Sequence, residues 1–194
     1  MDENKLITLA QKGDITAYNR LVIEYQDMVY NVSYRILGEA TTADDITQET
    51  FIAAHKALKR FRGGSFKSWL MRIATNRCYD LLRKRKRRPQ SSLDELTEDN
   101  ESFPPLTDED DTGPEEEQLQ QELAQGIVTC LDSLPDDQRI TTVLCDIEGY
   151  AYQEIAEMTA VSLGTVKSRI SRARRRLRDC LQSLGELLPA QYRL

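Results

Sequence analysis

The sequence predicts an all-α protein of two small helical domains joined by an acidic, disordered linker, and three observations predict it. Apolar residues recur at three- and four-residue steps through both halves. Alternating apolar and polar runs are absent, and the β-branched residues fall at helical spacing, so no strand competes. Between the halves, Pro89 to Glu122 holds thirteen Asp/Glu and no Lys or Arg, a composition that cannot bury an apolar face. The expected divisions are residues 1–88, a linker over 89–118, and 119–194.

The elements follow in order. Asp14 is the expected N-cap of a long helix whose stripe is Ala17, Leu21, Tyr25, Met28, Val32 and Ile36, ended at Gly38. Thr42-Ala43-Asp44-Asp45 opens a second helix, with a hydroxyl cap and first-turn acids, running to about Arg60. Gly63-Gly64 breaks the pattern, and Ser65 caps a third helix through about Lys86. Pro89, Pro104-Pro105 and Gly113-Pro114 punctuate the linker, whose like charges keep it extended. Helical pattern resumes near Glu116 and continues through Leu131, and Ser133 to Asp137 is the next break.

From Arg139 the pattern is that of a helix-turn-helix. Ile140, Val143 and Leu144 line one helix, ended by Glu148-Gly149. Tyr152 to Met158 makes a short helix, Thr159 to Ser162 the turn, and Ser162 caps a second helix with the stripe Val166, Ile170, Ala173, Leu177 and Leu181. Such a helix packs on one side while its cationic flank enters a major groove. Arg169, Arg172 and Arg176 share one face, and Lys167, Arg174 and Arg178 form a second basic arc.

The net charge of −6 conceals two cationic segments. Phe61 to Arg88 carries ten Lys/Arg against Asp80 alone, and Thr165 to Leu194 carries eight against two acids. Local fields, not the average, are what a polyanion meets. The first segment mixes its cations with Phe66, Trp69 and Tyr79, a combination that suits unpaired bases stacked beside a backbone track. Arg72, Asn76, Tyr79 and Arg83 recur along one face of it. One basic helix suited to single strands, tethered to another suited to duplex, points to a protein that engages DNA while it is being opened.

Other classes find little support. Cys78, Cys130, Cys145 and Cys180 form no C-x-x-C pair and read as small buried apolar residues in a reducing compartment. His55 is the one histidine and reads as a surface residue. No activated nucleophile or acid–base pair stands out, so an enzyme is not expected, and neither is a cofactor or metal. The acidic Met1-Asp2-Glu3-Asn4 start lacks a signal peptide, and no apolar stretch spans a bilayer, which makes cytoplasmic the default.

These residues resemble the extracytoplasmic-function (ECF, group IV) sigma factors, promoter-recognition subunits of bacterial RNA polymerase. Asp44 to Ile52 resembles the family's helix that docks on core polymerase. Phe61 to Leu70 with Arg72 to Asn76 resembles the loop and helix that melt and read the −10 element. Tyr152 to Ala156 with Gly164 to Arg169 resembles the helix-turn-helix that reads the −35 element. The resemblance implies sigma-2-like and sigma-4-like domains without an intervening third.

It also implies roles. Asp45, Gln48, Glu49, Phe51 and Ile52 would bind core polymerase through its β′ and β subunits. Phe61, Gly63, Ser65, Phe66, Lys67, Trp69, Arg72, Asn76 and Arg83 would hold −10 DNA. Thr165, Lys167, Ser168, Arg169, Ser171, Arg172 and Arg176 would hold −35 DNA. An anti-sigma partner and a monomeric free state are expected on the same ground, and Asp108 to Asp111 would mimic nucleic acid in a basic channel. The competing readings are a stand-alone helix-turn-helix regulator and a nucleic-acid enzyme with metal held by Asp44-Asp45 or by Asp108 to Asp111.

Overall fold

The computed structural model describes residues 2–87 and 125–183, and every regular element among them is helical. The linker and the acids Asp108 to Asp111 lie outside the described residues. The elements are α1 (Glu3–Gln11), α2 (Ile15–Leu37), α3 (Ala40–Ala57), a 3₁₀ turn (Leu58–Arg60), α4 (Phe66–Arg87), α5 (residues 125–132), α6 (Asp136–Thr142), α7 (Tyr152–Thr159) and α8 (Leu163–Ser183).

Local chemistry sets most of these ends. The Asp14 side chain accepts from the N–H groups of Thr16 and Ala17 at 2.9 and 3.1 Å, satisfying two orphan donors of α2. Gly38 closes that helix at φ 73°, a left-handed position that favours glycine, and its N–H donates to the Tyr34 carbonyl. Ser65 accepts from Ser68 N–H, and Ser162 from Thr165 N–H, each at 3.1 Å.

Two boundaries differ from expectation. α3 begins at Ala40, because Glu39 rather than Thr42 is the flanking residue, and the hydroxyls of Thr41 and Thr42 donate to its carboxylate. The helix from Asp136 widens into a π turn over Val143–Ile147 before Gly149.

α1 to α4 bury Leu21, Val29, Val32, Ile36, Leu58, Phe66, Leu70 and Met71 together. Ile140, Leu144, Ile155, Val166 and Ile170 continue the same cluster, so the second helical unit closes directly on the first. Arg35 donates to Glu148 at 3.0 Å across that seam, with both side chains only 12% exposed. Leu131, Leu134 and Ala173 form a separate small cluster beneath α5.

One pair of cysteines departs from the sequence reading, while Cys78 fits it. Cys78 is buried and free, its thiol pushed up to about 12 by burial. Cys130 and Cys180, by contrast, are joined as a disulfide between α5 and α8. A separation of 50 residues in sequence hid a pairing that the approach of two helices creates.

Candidate nucleic-acid interface

α3 carries its expected docking residues on one strip. Asp45, Gln48, Glu49 and Ile52 recur at three- and four-residue steps, and all four are exposed. Ile52 is 55% exposed, an apolar group amid acid and amide. Arg77 of α4 donates to Glu49 at 3.4 Å. Phe51 does not belong to the strip. It points into the core at 7% exposure, and its carbonyl accepts the Tyr18 hydroxyl. Position 51 lies one step off the exposed face, which is why a contiguous motif misassigned it.

The loop before α4 is anchored from α1. Gln11 Nε2 donates to the carbonyls of Leu58 and Phe61 at 3.1 and 2.9 Å, fixing the chain just ahead of Gly63 and Gly64. Both glycines have positive φ, which lets the loop turn tightly and leaves Ser65 exposed. Phe61 and Trp69 are partly buried, with ring centroids 5.2 Å apart. Phe66 is a correction: it is 1% exposed, wedged between Tyr25, Phe61 and Trp69, and no base can reach it. Its job is to support the two aromatics above it.

Along α4, Lys67, Arg72, Asn76 and Arg83 are exposed. Tyr79 is not free on that face. Burial pushes its hydroxyl up, Arg169 of α8 donates to it at 3.4 Å, and the Arg83 guanidinium lies over its ring.

On α8, Lys167, Ser171, Arg172 and Arg176 are exposed, while Thr165 and Ser168 are partly buried. Arg169 is turned inward, its Nε 3.0 Å from Asp137 of α6. The expected set omitted Arg174, Arg175 and Arg178. With Tyr152, Lys167 and Ser171 they line a cavity of about 340 Å³ between α7 and α8. Arg174 and Arg178 lay in the second basic arc of the sequence and Arg175 did not; only the helix phase shows which arc faces α7. Arg174 is further held by Asp146, at 2.5 Å.

These surfaces make a cationic, aromatic-edged helix and a helix-turn-helix on one chain, and both stretches match known families. Residues 21–88 match Sigma-70 region 2, and residues 124–177 match Sigma-70, region 4. The ECF RNA polymerase sigma-E factor of Escherichia coli strain K12 is 38% identical over 187 residues, covering 95% of this chain and 96% of that protein. The RNA polymerase sigma-H factor of Pseudomonas aeruginosa is 38% identical over 184 residues, covering 94% and 95%. The ECF RNA polymerase sigma factor SigE of Mycolicibacterium smegmatis is 40% identical over 165 residues, 85% of this chain and 62% of that protein.

Among solved structures, CnrH in complex with the cytosolic domain of CnrY superposes with a TM-score of 0.63 at 26% identity, covering 93% of this chain and 97% of that one. RpoE in complex with the anti-sigma factor NepR from Bartonella quintana gives 0.64 at 25% identity, covering 84% and 96%. This chain belongs to the ECF family of RNA polymerase sigma factors. The stand-alone regulator reading is not favoured by these likenesses.

Proposed function

We propose that the chain docks on core RNA polymerase through α3 and holds promoter DNA at two sites, without catalytic chemistry of its own. One observation carries this reading: α3 exposes a strip that mixes acid, amide and apolar groups and bears no cation of its own, in contrast to the cationic faces of α4 and α8. Asp45, Gln48, Glu49 and Ile52 suit a protein partner, and the apolar Ile52 supplies area that a solvated acidic face would not expose.

The Gly63-Gly64-Ser65 loop with Phe61, Lys67, Trp69, Arg72, Asn76 and Arg83 holds the opened −10 strand. Cations follow its backbone and ring edges stack its bases. Lys167, Ser168, Ser171, Arg172 and Arg176, with Thr165 and Arg169, hold the −35 duplex, where phosphate contacts set position and base contacts set specificity. Tethering both sites through one polymerase raises effective concentration, so each contact can be weak alone. The domains run over 1–88 and 119–194 with a spacer over 89–118. Cytoplasmic location follows from sharing a compartment with polymerase, and among the described residues no helix is long and apolar enough to cross a membrane.

The partner class includes an anti-sigma factor, since both solved relatives named above are bound to other proteins, RpoE to an anti-sigma factor by name. The test is co-elution of the purified full chain with sigma-free core polymerase. The expected result is a one-to-one complex, lost when Gln48, Glu49 and Ile52 are changed to alanine together. No complex, with tight duplex binding by the free chain, overturns the reading.

A further inference from the structure

One covalent cross-link occurs among the described residues, and nothing in the promoter-binding role requires it. Cys130 of α5 is bonded to Cys180 of α8 across 50 residues of sequence, with the Cα atoms 5.7 Å apart. That spacing lies in the ordinary range for a bridged pair. Among the described residues, Leu131 of α5 and Leu134 just beyond it close on Ala173, with Ile127 and Leu177 at the rim. This cluster is separate from the main core, and the bond is the covalent tie among the described residues between α5 and α8.

α5 also ends at a junction. Asp132, its last residue, accepts from Arg139 Nη1 of α6 at 2.6 Å. Its carboxylate oxygen lies 3.1 Å from where a Cβ on Gly38 would stand, at the end of α2. α5 therefore touches α8, α6 and the end of α2, and its tie to α8 includes one bond that chemistry can break.

We propose that Cys130 and Cys180 are a thiol–disulfide switch, which fixes α5 to α8 when oxidised and releases it when reduced. The compartment rests on the proposed function: beside polymerase, thiols are kept reduced, and protein disulfides there are transient and redox-sensing. Cys130 is fully buried and Cys180 partly exposed, so reagents meet the Cys180 sulfur first.

In oxidation by a peroxide, the Cys180 thiolate attacks one peroxide oxygen, which stays on sulfur as a sulfenic acid, while the O–O bond breaks and the other oxygen leaves as water. The Cys130 thiol then attacks that sulfur and expels the retained oxygen as the second water. One peroxide and two thiols give one disulfide and two waters. In reduction by a dithiol of the thioredoxin class, a dithiol sulfur attacks Cys180 and Cys130 leaves as a thiol. The second dithiol sulfur then displaces Cys180. Two electrons and two protons pass to the protein, and the dithiol leaves as a cyclic disulfide.

The experiment uses the full chain, treated with hydrogen peroxide or with dithiothreitol, and reads mass, hydrogen exchange and thermal midpoint. The expected oxidised form has lost two hydrogens, mapped to the Cys130 and Cys180 peptides. Its amides over residues 125–132 exchange at least about tenfold more slowly than in the reduced form, as local opening is suppressed. Closing a loop of this size raises the thermal midpoint by at least about 5 °C. Because Cys130 is fully buried, Cys180→Ser is the control, and it exchanges like the reduced protein under both treatments. Failure of peroxide to form the bond, or equal exchange over 125–132 in the two forms, overturns the proposal. Neither readout depends on polymerase or promoter, so a failure here leaves the sigma assignment untouched.

Discussion

Two phenylalanines show how far a motif can be trusted residue by residue. Phe51 and Phe66 both sit inside stretches that bind partners in the family resemblance, and both are buried in this chain. A motif records which residues occur together, and helix phase decides which of them reach solvent. Phe66→Ala is therefore expected to cost about 3–5 kcal/mol of stability, as for a large aromatic removed from a packed site. Exposed Arg72→Ala should change stability by less than about 0.5 kcal/mol while weakening DNA binding. Urea denaturation of both variants checks the pair, and a stable Phe66→Ala protein would return that ring to the DNA surface. Gly38 makes a second residue-scale case. Alanine there meets a positive φ and a carboxylate oxygen of Asp132 at 3.1 Å, so Gly38→Ala should destabilise by about 1–2 kcal/mol in the same assay.

At the scale of elements, most of the helical plan was legible because caps are local. Asp14, Gly38, Ser65 and Ser162 all act where their residue type suggests, since one side chain or one φ angle settles each end. The start of α3 was not, because the Thr42 hydroxyl is engaged by the Glu39 carboxylate instead of capping the helix, and that carboxylate also has a distant partner. Arg85 Nη2, 46 residues on, donates to Glu39 Oε2 at 2.6 Å, and the Thr42 hydroxyl does so at 2.6 Å as well.

The Thr42 hydrogen bond, then the Arg85 one, holds the Glu39 carboxyl below its ordinary value of 4.5. A depressed carboxyl contributes stability above its unfolded pKa, and that contribution is lost as pH falls through the lower folded value. Comparing the unmodified chain with Glu39→Gln, the stability difference should be full above about pH 6 and fade below the ordinary value. A difference that stays constant with pH would mean that the ion pair is absent in solution. The π turn after α6 and the α5–α8 disulfide were illegible for a related reason. Each depends on what a helix meets in space, and neither leaves a periodic trace.

At the scale of the whole molecule, charge patterning foretold two cationic surfaces but not that the halves would close on each other. Nothing in a local pattern says that Arg35 will meet Glu148, 113 residues away. The contact has consequences for α8, because the same closure brings Arg169, which is paired with Asp137 of its own half, onto Tyr79 of α4. Burial raises the Glu148 carboxyl even though Arg35 and Lys67 pull it down, so desolvation outweighs attraction at this pair. A pair of that kind contributes little net stability, yet it is costly to break from one side. Glu148→Ala alone leaves a mostly buried guanidinium unpaired and should cost about 3–5 kcal/mol. Replacing both, Arg35→Met with Glu148→Leu, removes the unpaired charge and should cost much less, giving a coupling of more than about 1 kcal/mol in a double-mutant cycle. Equilibrium urea unfolding reads all four proteins. Additive costs would mean that water reaches both groups and that the two halves stand apart in solution, which would free Tyr79 without any opening step and leave Arg169 held by Asp137 alone.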